Sequence, residues 1–384
     1  MKKIAVIGGS YLQLPAVEMA RRLAYETHCF AWEAGAVCKD VADHFHPISV
    51  LEKEQILAVC RETGIDGVVT IASDVAVPTV NYVAHKMGLV GNPCEFSSVT
   101  TNKYEMRECF RRHGIPSPRF ARARPGESIA RNLFEFPVIV KPTDRSGSLG
   151  VQKVTDYADL ACAIERAREV SFSREAIVEE FVPGREVSVE GISWNGQHHI
   201  LTITDKVTTG APFFVELEHH QPSSLPPELW SRVRDIVLNA LNALNIRNGA
   251  SHSELKISEQ GDIKVVEIGA RLGGDFIGSD LVLLSTGYDF LKGVVEVAMG
   301  RFVRPPGLSN NRCAGVYFLC KETEHLLPIF EHPTQHREIV RAEVTDPELR
   351  HVKCSADRSG YFIYQSDSRF SVRGGAERAP EWAG

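Results

Sequence analysis

Apolar and polar positions alternate between two periods in the first hundred residues of the chain. Lys3–Gly8 has the continuous apolar character of a buried strand, and Leu14–Tyr25 has the period of an amphipathic helix. The alternation recurs in the segments that follow, namely a helix at 53–63, a strand at 67–71 and a helix at 77–87. Strands and helices that alternate in this way form a doubly wound parallel sheet. We therefore expect an α/β domain over residues 1–101.

Two loops of this domain carry polar residues just after a predicted strand. Ser10 follows the first strand and Asp74 follows the strand at 67–71, so both are expected at the carboxyl edge of the sheet, where α/β proteins bind ligands. The Gly8-Gly9-Ser10 turn does not complete the Gly-x-Gly-x-x-Gly pattern of a dinucleotide site. We expect these loops to face an active site built by the next domain.

The pattern changes after residue 101. Hairpin-like alternation surrounds helices predicted at Tyr157–Val170 and Pro227–Leu244, which indicates two α+β lobes over 102–304. A helix is also predicted at Ser279–Met299. Beyond Pro305-Pro306-Gly307, short strands indicate a small β-rich domain over 305–384; they are predicted at 314–319, 338–344 and 360–365. The last eleven residues are typical of a frayed tail.

Composition narrows the class of protein. A chain of 384 residues with 43% hydrophobic content is long enough for two or three domains. A net charge of −6 and the absence of a basic stripe argue against a nucleic-acid binder. Nine scattered cysteines without a Cys-x-x-Cys pair are typical of reduced thiols. With no membrane-length apolar run and no leader, the expected location is the cytoplasm.

Two carboxylates carry the most informative chemistry. Glu254 and Glu267 lie in two alternating segments joined by the turn 258–262, so a hairpin would place both side chains on one face. Two negative charges so near each other require a cation. Hard oxygen ligands beside Arg271 suit a Mg2+ ion that bridges the phosphates of a nucleotide. A hairpin with solvated acids is the plainer alternative for any isolated pair of glutamates.

A small-residue loop offers a place for phosphate. A buried-looking strand delivers Lys141, and the segment after it contains Ser146, Gly147, Ser148 and Gly150. Glycines let backbone N–H groups approach phosphate oxygens, and the lysine supplies positive charge. The lysine precedes the glycines, so the loop does not match the Walker pattern, and an ordinary hairpin turn would look similar.

Two further elements fit a bound nucleotide. The strand in 176–190 ends in two acids and turns at Pro183-Gly184; its exposed backbone groups suit an adenine edge, and Glu186 could accept ribose hydroxyls. Lys103 begins a helix predicted at 102–113 after the cap-like Thr100-Thr101, where a lone lysine would usually be solvated.

The order and spacing of these elements resemble the ATP-grasp superfamily over residues 1 to about 300. The resemblance implies a lid subdomain at about 120–190, with 145–150 as its flexible loop. It also implies that Lys103 and Lys141 contact nucleotide phosphates and that Glu186 holds the ribose. It implies an adenine site lined by Glu179, Glu180, Phe181 and Val182. It further implies that Glu254 and Glu267 bind Mg2+, with Mn2+ as a substitute, and that Arg271 neutralises the transferring phosphoryl group.

The chain departs from the superfamily at one position and resembles one branch of it. Many ATP-grasp enzymes have Asn two residues after the second metal glutamate, where this chain has Gly269, so water is expected to complete the metal shell. Segments 267–275 and 216–222 are most similar to the bacterial L-amino acid ligases. That similarity implies that His219 lies near the acyl-phosphate, with His220 behind it. A double histidine in a polar loop is also typical of a surface or structural role.

Three functions follow from these observations. The favoured one is an ATP-dependent carboxylate–amine ligase that forms an amide through an acyl-phosphate, with amino acids as expected substrates and a homodimer as the default assembly. The second is a purine-pathway or carboxylase-type ligase that activates formate, glycine or bicarbonate. The third is a nucleotide-binding protein without turnover, which the complete set of lysines and acids disfavours. The identity of the two substrates stays open, because variable loops build the substrate pocket.

Overall fold

A computed structural model describes residues 1–305 and 312–371 of the chain. Within these ranges, no helix is both long and apolar enough to cross a membrane. The expected tail at 374–384 and most of the expected boundary at Pro305-Pro306-Gly307 lie outside the described residues.

The N-terminal domain is the predicted parallel sheet covered by helices. Its four strands pair in the order β3-β2-β1-β4, all parallel. The strands are β1 (Lys3–Ile7), β2 (Glu26–Phe30), β3 (His44–His46) and β4 (Gly67–Val69), and the helices are α1 (Leu14–Arg22), α2 (Lys53–Thr63) and α3 (Val77–Met87). Helices α2 and α3 end at Gly64 and Gly88, which adopt the left-handed conformation that glycine permits. The predicted doubly wound fold is confirmed.

The lid lobe is a four-stranded antiparallel sheet backed by one helix. Helix α4 (Lys103–Arg112) leads into it, and the side chain of Asn102 caps that helix by accepting from the N–H groups of Tyr104 and Glu105. The predicted cap at Thr100-Thr101 is therefore one position too early. The lobe comprises β5 (Phe120–Ala123), β6 (Val138–Pro142), β7 (Gln152–Val154), α5 (Tyr157–Val170) and β8 (Ala176–Glu180), with strand order β5-β8-β6-β7.

The largest sheet has eight strands in the order β13-β12-β9-β10-β11-β14-β16-β15. Its first part comprises β9 (Arg185–Trp194), β10 (Gln197–Thr208), β11 (Glu216–Gln221), α6 (Pro227–Ala243), β12 (Gly249–Ile257) and β13 (Ile263–Gly269). Apolar residues of α6, including Val233, Val237 and Leu241, pack on Val187 and Val189 of β9. This packing fixes the back of the sheet and leaves its other face open to the lid lobe.

The segment predicted as one helix at Ser279–Met299 is broken. Helix α7 (Val282–Thr286) stops at Gly287, which has a positive φ of 74°, and α8 (Phe290–Ala298) starts anew with Asp289 as its cap. Asp289 therefore serves as the cap of α8, and Asp280 pairs with Arg341. Helix α8 packs between the N-terminal domain and the large sheet, because its core includes Val17, Ile192 and Ala250.

The strands after residue 305 continue the large sheet instead of forming a sheet of their own. They are β14 (Cys313–Leu319), β15 (Ile339–Val344) and β16 (Gly360–Ser366), with the short helix α9 (Leu327–Glu331) between the first two. Strand β14 pairs with β11 through Gln221↔Ala314 and Glu218↔Tyr317. The β-rich character of this region is confirmed, and its hydrogen bonds tie it to the preceding domain.

Candidate active site

The two candidate metal carboxylates face each other across the β12–β13 hairpin. Glu254 and Glu267 are direct partners in the antiparallel register, and the turn Ser258–Asp262 closes the hairpin as predicted. Both line a cleft between the lid lobe and the large sheet, and Arg271 lines the same cleft. The structure therefore places the two acids on one face, within reach of a shared cation.

Each of these carboxylates is bound by a lysine. Lys206 Nζ lies 2.6 Å from Glu254 Oε1 and 2.8 Å from Glu186 Oε1, and Lys103 Nζ lies 2.8 Å from Glu267 Oε1. Lys206 was not predicted, although a lysine among the apolar positions of a strand is itself a signal for a paired, buried charge. The donor set is oxygen-rich and already holds cations, so its chemistry fits Mg2+.

Electrostatics keep the acids of the cleft ionised. Burial acts to raise the pKa of Glu254, but Lys206 and His252 outweigh it and hold that pKa well below the usual range. The pKa of Glu186 falls to about 2, because Lys206 and Lys256 outweigh the effect of burial. The cleft consequently presents full negative charges at neutral pH, which require cations as partners.

His252 adds a positive charge that the sequence did not reveal. Its ring nitrogens lie 2.7 Å from Glu190 Oε1 and 3.4 Å from Glu254 Oε1. Burial acts to lower its pKa, yet Glu190 and Glu254 raise the pKa to about 9. Only the pairing of β12 with β9, which sets His252 opposite Glu190, creates this contact.

Lys141, predicted to contact phosphate, lies in a buried ion-pair triad. Its Nζ is 2.7 Å from Glu179 Oε2, and Arg107 Nε is 2.8 Å from Glu179 Oε1. Burial lowers the pKa of Lys141, and the Glu179 carboxylate opposes this effect. Glu179 borders the cleft as predicted, but its carboxylate is engaged by the two cations, which leaves only its backbone to meet an adenine.

The predicted lid residues 145–150 border the cleft. Ser146, Gly147 and Ser148 are part of its lining, and φ is 66° at Gly147, 57° at Ser148 and 75° at Gly150, so the loop uses the left-handed conformation three times. Lys103 Nζ donates to the backbone oxygen of Arg145 at 2.6 Å while it binds Glu267. One lysine thus links the loop to a candidate metal ligand.

The predicted adenine edge lies at the end of β8. Glu180, Phe181 and Val182 all line the cleft. The Glu180 carboxylate accepts from Arg119 at 2.9 Å and also pairs with Lys264, so each of its oxygens already has a cationic partner. Lys153 Nζ lies 3.9 Å from the centre of the Phe181 ring. This arrangement places an aromatic ring at the end of the strand, where the N–H groups of Glu180 and Phe181 already donate to the backbone oxygens of Arg119 and Pro137.

Arg271 is held by the N-terminal domain. Its guanidinium donates to both carboxylate oxygens of Asp74 at 2.9 and 3.0 Å. A Cβ atom at Gly269 would lie 2.8 Å from Asp74 Oδ1, so glycine at this position makes room for that ion pair. Asp74 therefore faces the site as expected, whereas Ser10 bonds to Gln13 within its own loop.

His219 lies beside the cleft and does not line it. The segment 216–221 is strand β11, not the polar loop that the sequence suggested. His219 is buried, with Nε2 3.8 Å from Asp275 Oδ2, and its Nδ1 has no hydrogen-bond partner among the described residues. Asp275 is held in turn by a two-pronged contact from Arg358 at 2.7 and 2.8 Å.

His220 has a structural position. Its ring bonds the Tyr364 hydroxyl and the Glu218 carboxylate, each at 2.8 Å, and burial lowers its pKa. It therefore ties β11 to the C-terminal strands and is not part of the cleft lining. The roles of His219 and His220 in proton transfer stay predictions.

Comparison with known proteins gives the same class as this geometry. Residues 134–280 match the family model of the ATP-grasp domain. The L-amino acid ligase structure from Bacillus licheniformis superimposes with a TM-score of 0.78 at 24% identity, covering 96% of this chain and 94% of that one. The resemblance to the ATP-grasp superfamily is confirmed over residues 134–280, and the chain shares the overall fold of that ligase.

Among curated relatives, alanine–anticapsin ligase of Bacillus subtilis (strain 168) is 26% identical over 272 residues, covering 62% of this chain and 57% of the relative. A D-alanine–D-alanine ligase of Flavobacterium johnsoniae is 30% identical over 185 residues, covering 44% of this chain and 56% of the relative. The chain thus spans a little over half the length of these relatives.

Proposed function

We propose that this protein is an ATP-dependent carboxylate–amine ligase that forms an amide bond through an acyl-phosphate and releases ADP and phosphate. The observation that carries the proposal is the direct opposition of Glu254 and Glu267 in a cleft shared with Lys103, Lys141 and Arg271. The names of the relatives, which are ligases for amino acids, support the same reaction class.

The nucleotide would occupy the cleft from the end of β8 to the hairpin. The backbone of Glu180 to Val182 would meet the adenine, and Glu186 would accept the ribose hydroxyls. Lys103 would turn from Glu267 to the phosphates, and Lys141 would contact them from its place beside Glu179. Glu254 and Glu267 would hold Mg2+, with Mn2+ as a substitute, and the metal when bound supplies neutralisation of phosphate charge.

In the first step, an oxygen of the substrate carboxylate attacks the γ-phosphorus of ATP and the bond to the β-phosphate oxygen breaks, giving an acyl-phosphate and ADP. Arg271 and the two lysines neutralise the charge on the transferred oxygens. Closure of the 145–150 loop excludes water from the acyl-phosphate. Asp74 keeps the guanidinium of Arg271 oriented during this step.

In the second step, the nitrogen of a neutral amine attacks the acyl carbon, phosphate leaves with the C–O bonding electrons, and the nitrogen loses one proton. His219 is the candidate acceptor for that proton, because its Nδ1 has no other partner among the described residues and Asp275 lies near its other nitrogen. This assignment requires the amine to enter from the side of β11.

The substrates we propose are amino acids or similar small molecules; neither a nucleic acid nor a membrane is proposed as a partner. The nine cysteines all lie within the described ranges and are free, which suits a cytoplasmic protein. A homodimer is the default assembly for such an enzyme. Light scattering of the purified chain would measure its mass directly.

The test is a matrix of amino acids and small carboxylates against amines, read by ADP formation and by the mass of the product. Amine-dependent ADP formation with an amide product supports the proposal. Glu267→Gln is expected to lower turnover at least about 100-fold with the fold retained. Glu259→Gln, an exposed acid in the turn of the same hairpin, is the matched control and should keep full activity. Unchanged ADP production by Glu267→Gln would refute the metal assignment.

The carboxylase or purine-pathway alternative is separated by the same assay. Phosphoribosylglycinamide synthetase from Anaerococcus prevotii has a TM-score of 0.75 at 18% identity, covering 96% of this chain and 94% of that chain, a likeness that concerns the fold alone. ADP formation with bicarbonate, formate or glycine, and with no other carboxylate, would favour that alternative.

A further inference from the structure

A cluster of imidazoles and one carboxylate lies in the N-terminal domain, outside the cleft. Glu26 and His28 alternate along one face of β2, and His44 and His46 alternate along β3. The parallel register sets His28 beside His44 and Phe30 beside His46, so all four polar side chains project from the same face of the sheet.

Three atoms of this cluster converge. His28 Nε2 lies 3.2 Å and His44 Nε2 3.1 Å from the same oxygen, Glu26 Oε1, and the three atoms lie within 4.8 Å of one another. Two ligands of a tetrahedral Zn2+ with bonds of about 2.0–2.1 Å are roughly 3.3 Å apart. The nitrogen–oxygen separations are therefore already close to those that a shared metal ion requires.

A fourth side chain orients the buried ligand. His46 Nε2 lies 3.1 Å from His28 Nδ1, so the two rings share one proton between these nitrogens. If His28 donates that proton to His46, its Nε2 is left as a lone pair aimed at Glu26. Histidines that bind metals commonly donate their second nitrogen to a fixed acceptor in this way. The rings of Phe30 and His46 stack with centres 4.5 Å apart, which holds the acceptor in place.

The cluster combines rigidity with access. His28 is buried, whereas the side chain of His44 on the edge strand is 52% exposed, so an ion can enter and water can complete its shell. Lys3 Nζ lies 3.3 Å from Glu26 Oε1, which shows that the carboxylate already attracts a cation. The lysine side chain is partly exposed and can swing away into solvent.

The cluster is also remote from the cleft. Glu26 is the first residue of β2, and the register aligns it with Lys3 at the start of β1. The cleft residue Asp74 instead follows β4, at the carboxyl end of the parallel strands. The histidine cluster and the cleft residue Asp74 therefore lie at opposite ends of one parallel sheet. A metal ion bound at the cluster does not obstruct the cleft.

We propose that Glu26, His28 and His44 form a second metal site, selective for a borderline divalent ion such as Zn2+, with His46 as the residue that orients His28. Two imidazoles and one carboxylate suit Zn2+ or Co2+, whereas the all-carboxylate cleft suits Mg2+. A metal bound here fastens the three-residue edge strand β3 to β2.

The test uses the full chain without a histidine tag. Equilibrium dialysis should show one equivalent of Zn2+ bound at micromolar free metal, in wild type and in Glu267→Gln alike. Co2+ should give visible absorption of a nitrogen and oxygen site without a thiolate charge-transfer band, which separates this site from the nine cysteines. Zn2+ should raise the Tm of the wild type.

Variants define the ligands. His44→Ala and Glu26→Gln should each lose that equivalent, while His46→Ala should weaken Zn2+ binding about 10-fold to 100-fold. His85→Ala, an exposed histidine of α3, is the matched control and should bind as wild type does. ADP formation should be unchanged in His44→Ala. The proposal would be overturned if Zn2+ binding survived in both His44→Ala and Glu26→Gln. It would also be overturned if the wild type bound no Zn2+ and the variants only lowered stability.

Discussion

The two walls of the cleft use the same kinds of charge in different ways. On the phosphate-side wall, Lys141 and Glu179 line the cleft and Arg107 backs them, and the three side chains are 6%, 3% and 0% exposed. On the metal-side wall, Glu186, Glu254 and Glu267 are bound by lysines, yet these acids are 18%, 25% and 24% exposed. One wall is sealed and the other is open to solvent.

This difference indicates which ion pairs can exchange partners. A carboxylate sealed from water cannot lose a cation without leaving an unpaired buried charge, which costs several kcal/mol. A carboxylate that keeps contact with water can replace a lysine by another cation at a lower cost, although the lysines here are themselves only 2% and 7% exposed. The phosphate-side wall is thus a fixed scaffold, and the metal-side wall is where a divalent ion can displace the ammonium groups.

The largest effect is expected on the sealed wall. Arg107→Met should lower the free energy of unfolding by about 3–5 kcal/mol, because it removes one of two cations from buried Glu179 and a donor from the backbone oxygen of Val266. Urea denaturation measures this loss. Arg111→Met on the same helix removes an exposed pair with Glu108 and should change stability by less than about 1 kcal/mol. Equal losses in both variants would contradict the comparison.

A second effect concerns the link between the metal-side wall and the N-terminal domain. Gly269→Asn should lower turnover about 10-fold to 100-fold, because its Cβ would lie 2.8 Å from Asp74 Oδ1 and 3.2 Å from Arg271 Nε, displacing the guanidinium. Steady-state ADP formation measures the change. Gly64→Asn is the control, since its Cβ meets open space and Asn tolerates a positive φ. Higher activity in Gly269→Asn would mean that the new amide serves as a metal ligand.

A third effect tests exchange on the open wall. In EDTA, Lys206→Met should lower the free energy of unfolding by about 2 kcal/mol, because Glu186, Glu254 and Glu216 lose their shared cation. Mg2+ should restore more stability to this variant than to wild type, as urea denaturation with and without Mg2+ would show. Lys292→Met on the exposed side of α8 should respond as wild type does. A Lys206→Met variant indifferent to Mg2+ would argue against metal exchange.

The smallest effect concerns Asp275, which lies outside the cleft lining and pairs with Arg358. Burial acts to raise its pKa, but Arg358 outweighs it and holds the pKa below the usual range. The pair therefore contributes stability above about pH 3.9, the unfolded value, and the contribution is lost as pH falls toward the folded value. Below pH 4, the free energy of unfolding of the wild type should decrease as the pH is lowered. Arg358→Met should make this decrease less steep by up to about 1.4 kcal/mol per pH unit. Arg350→Met, which changes an exposed arginine, is the control. If both variants gave the same dependence of unfolding free energy on pH, Asp275 would not contribute to the acid sensitivity.

Local pattern predicted more of the fold than of the ion pairs. The helices at 53–63, 77–87 and 157–170 begin and end where their periodicity does, and the β12–β13 hairpin follows from alternation around a Gly-containing turn. The long helix expected at 279–299 was wrong, because Gly287 ends one helix and Asp289 caps the next. The apolar periodicity continues through both helices, and only Gly287 and Asp289 mark the break between them.

The sequence by itself determined most of the helices, the β12–β13 hairpin and the shared face of Glu254 and Glu267, because these depend on neighbours a few residues away. Tertiary structure alone decided that Lys206 meets Glu254, that Asp74 orients Arg271 and that the C-terminal strands extend the large sheet. Lys103 meets Glu267 across 164 residues of chain. Such contacts depend on sheet order and register, which bring distant charges together and which local hydrophobic periodicity does not encode.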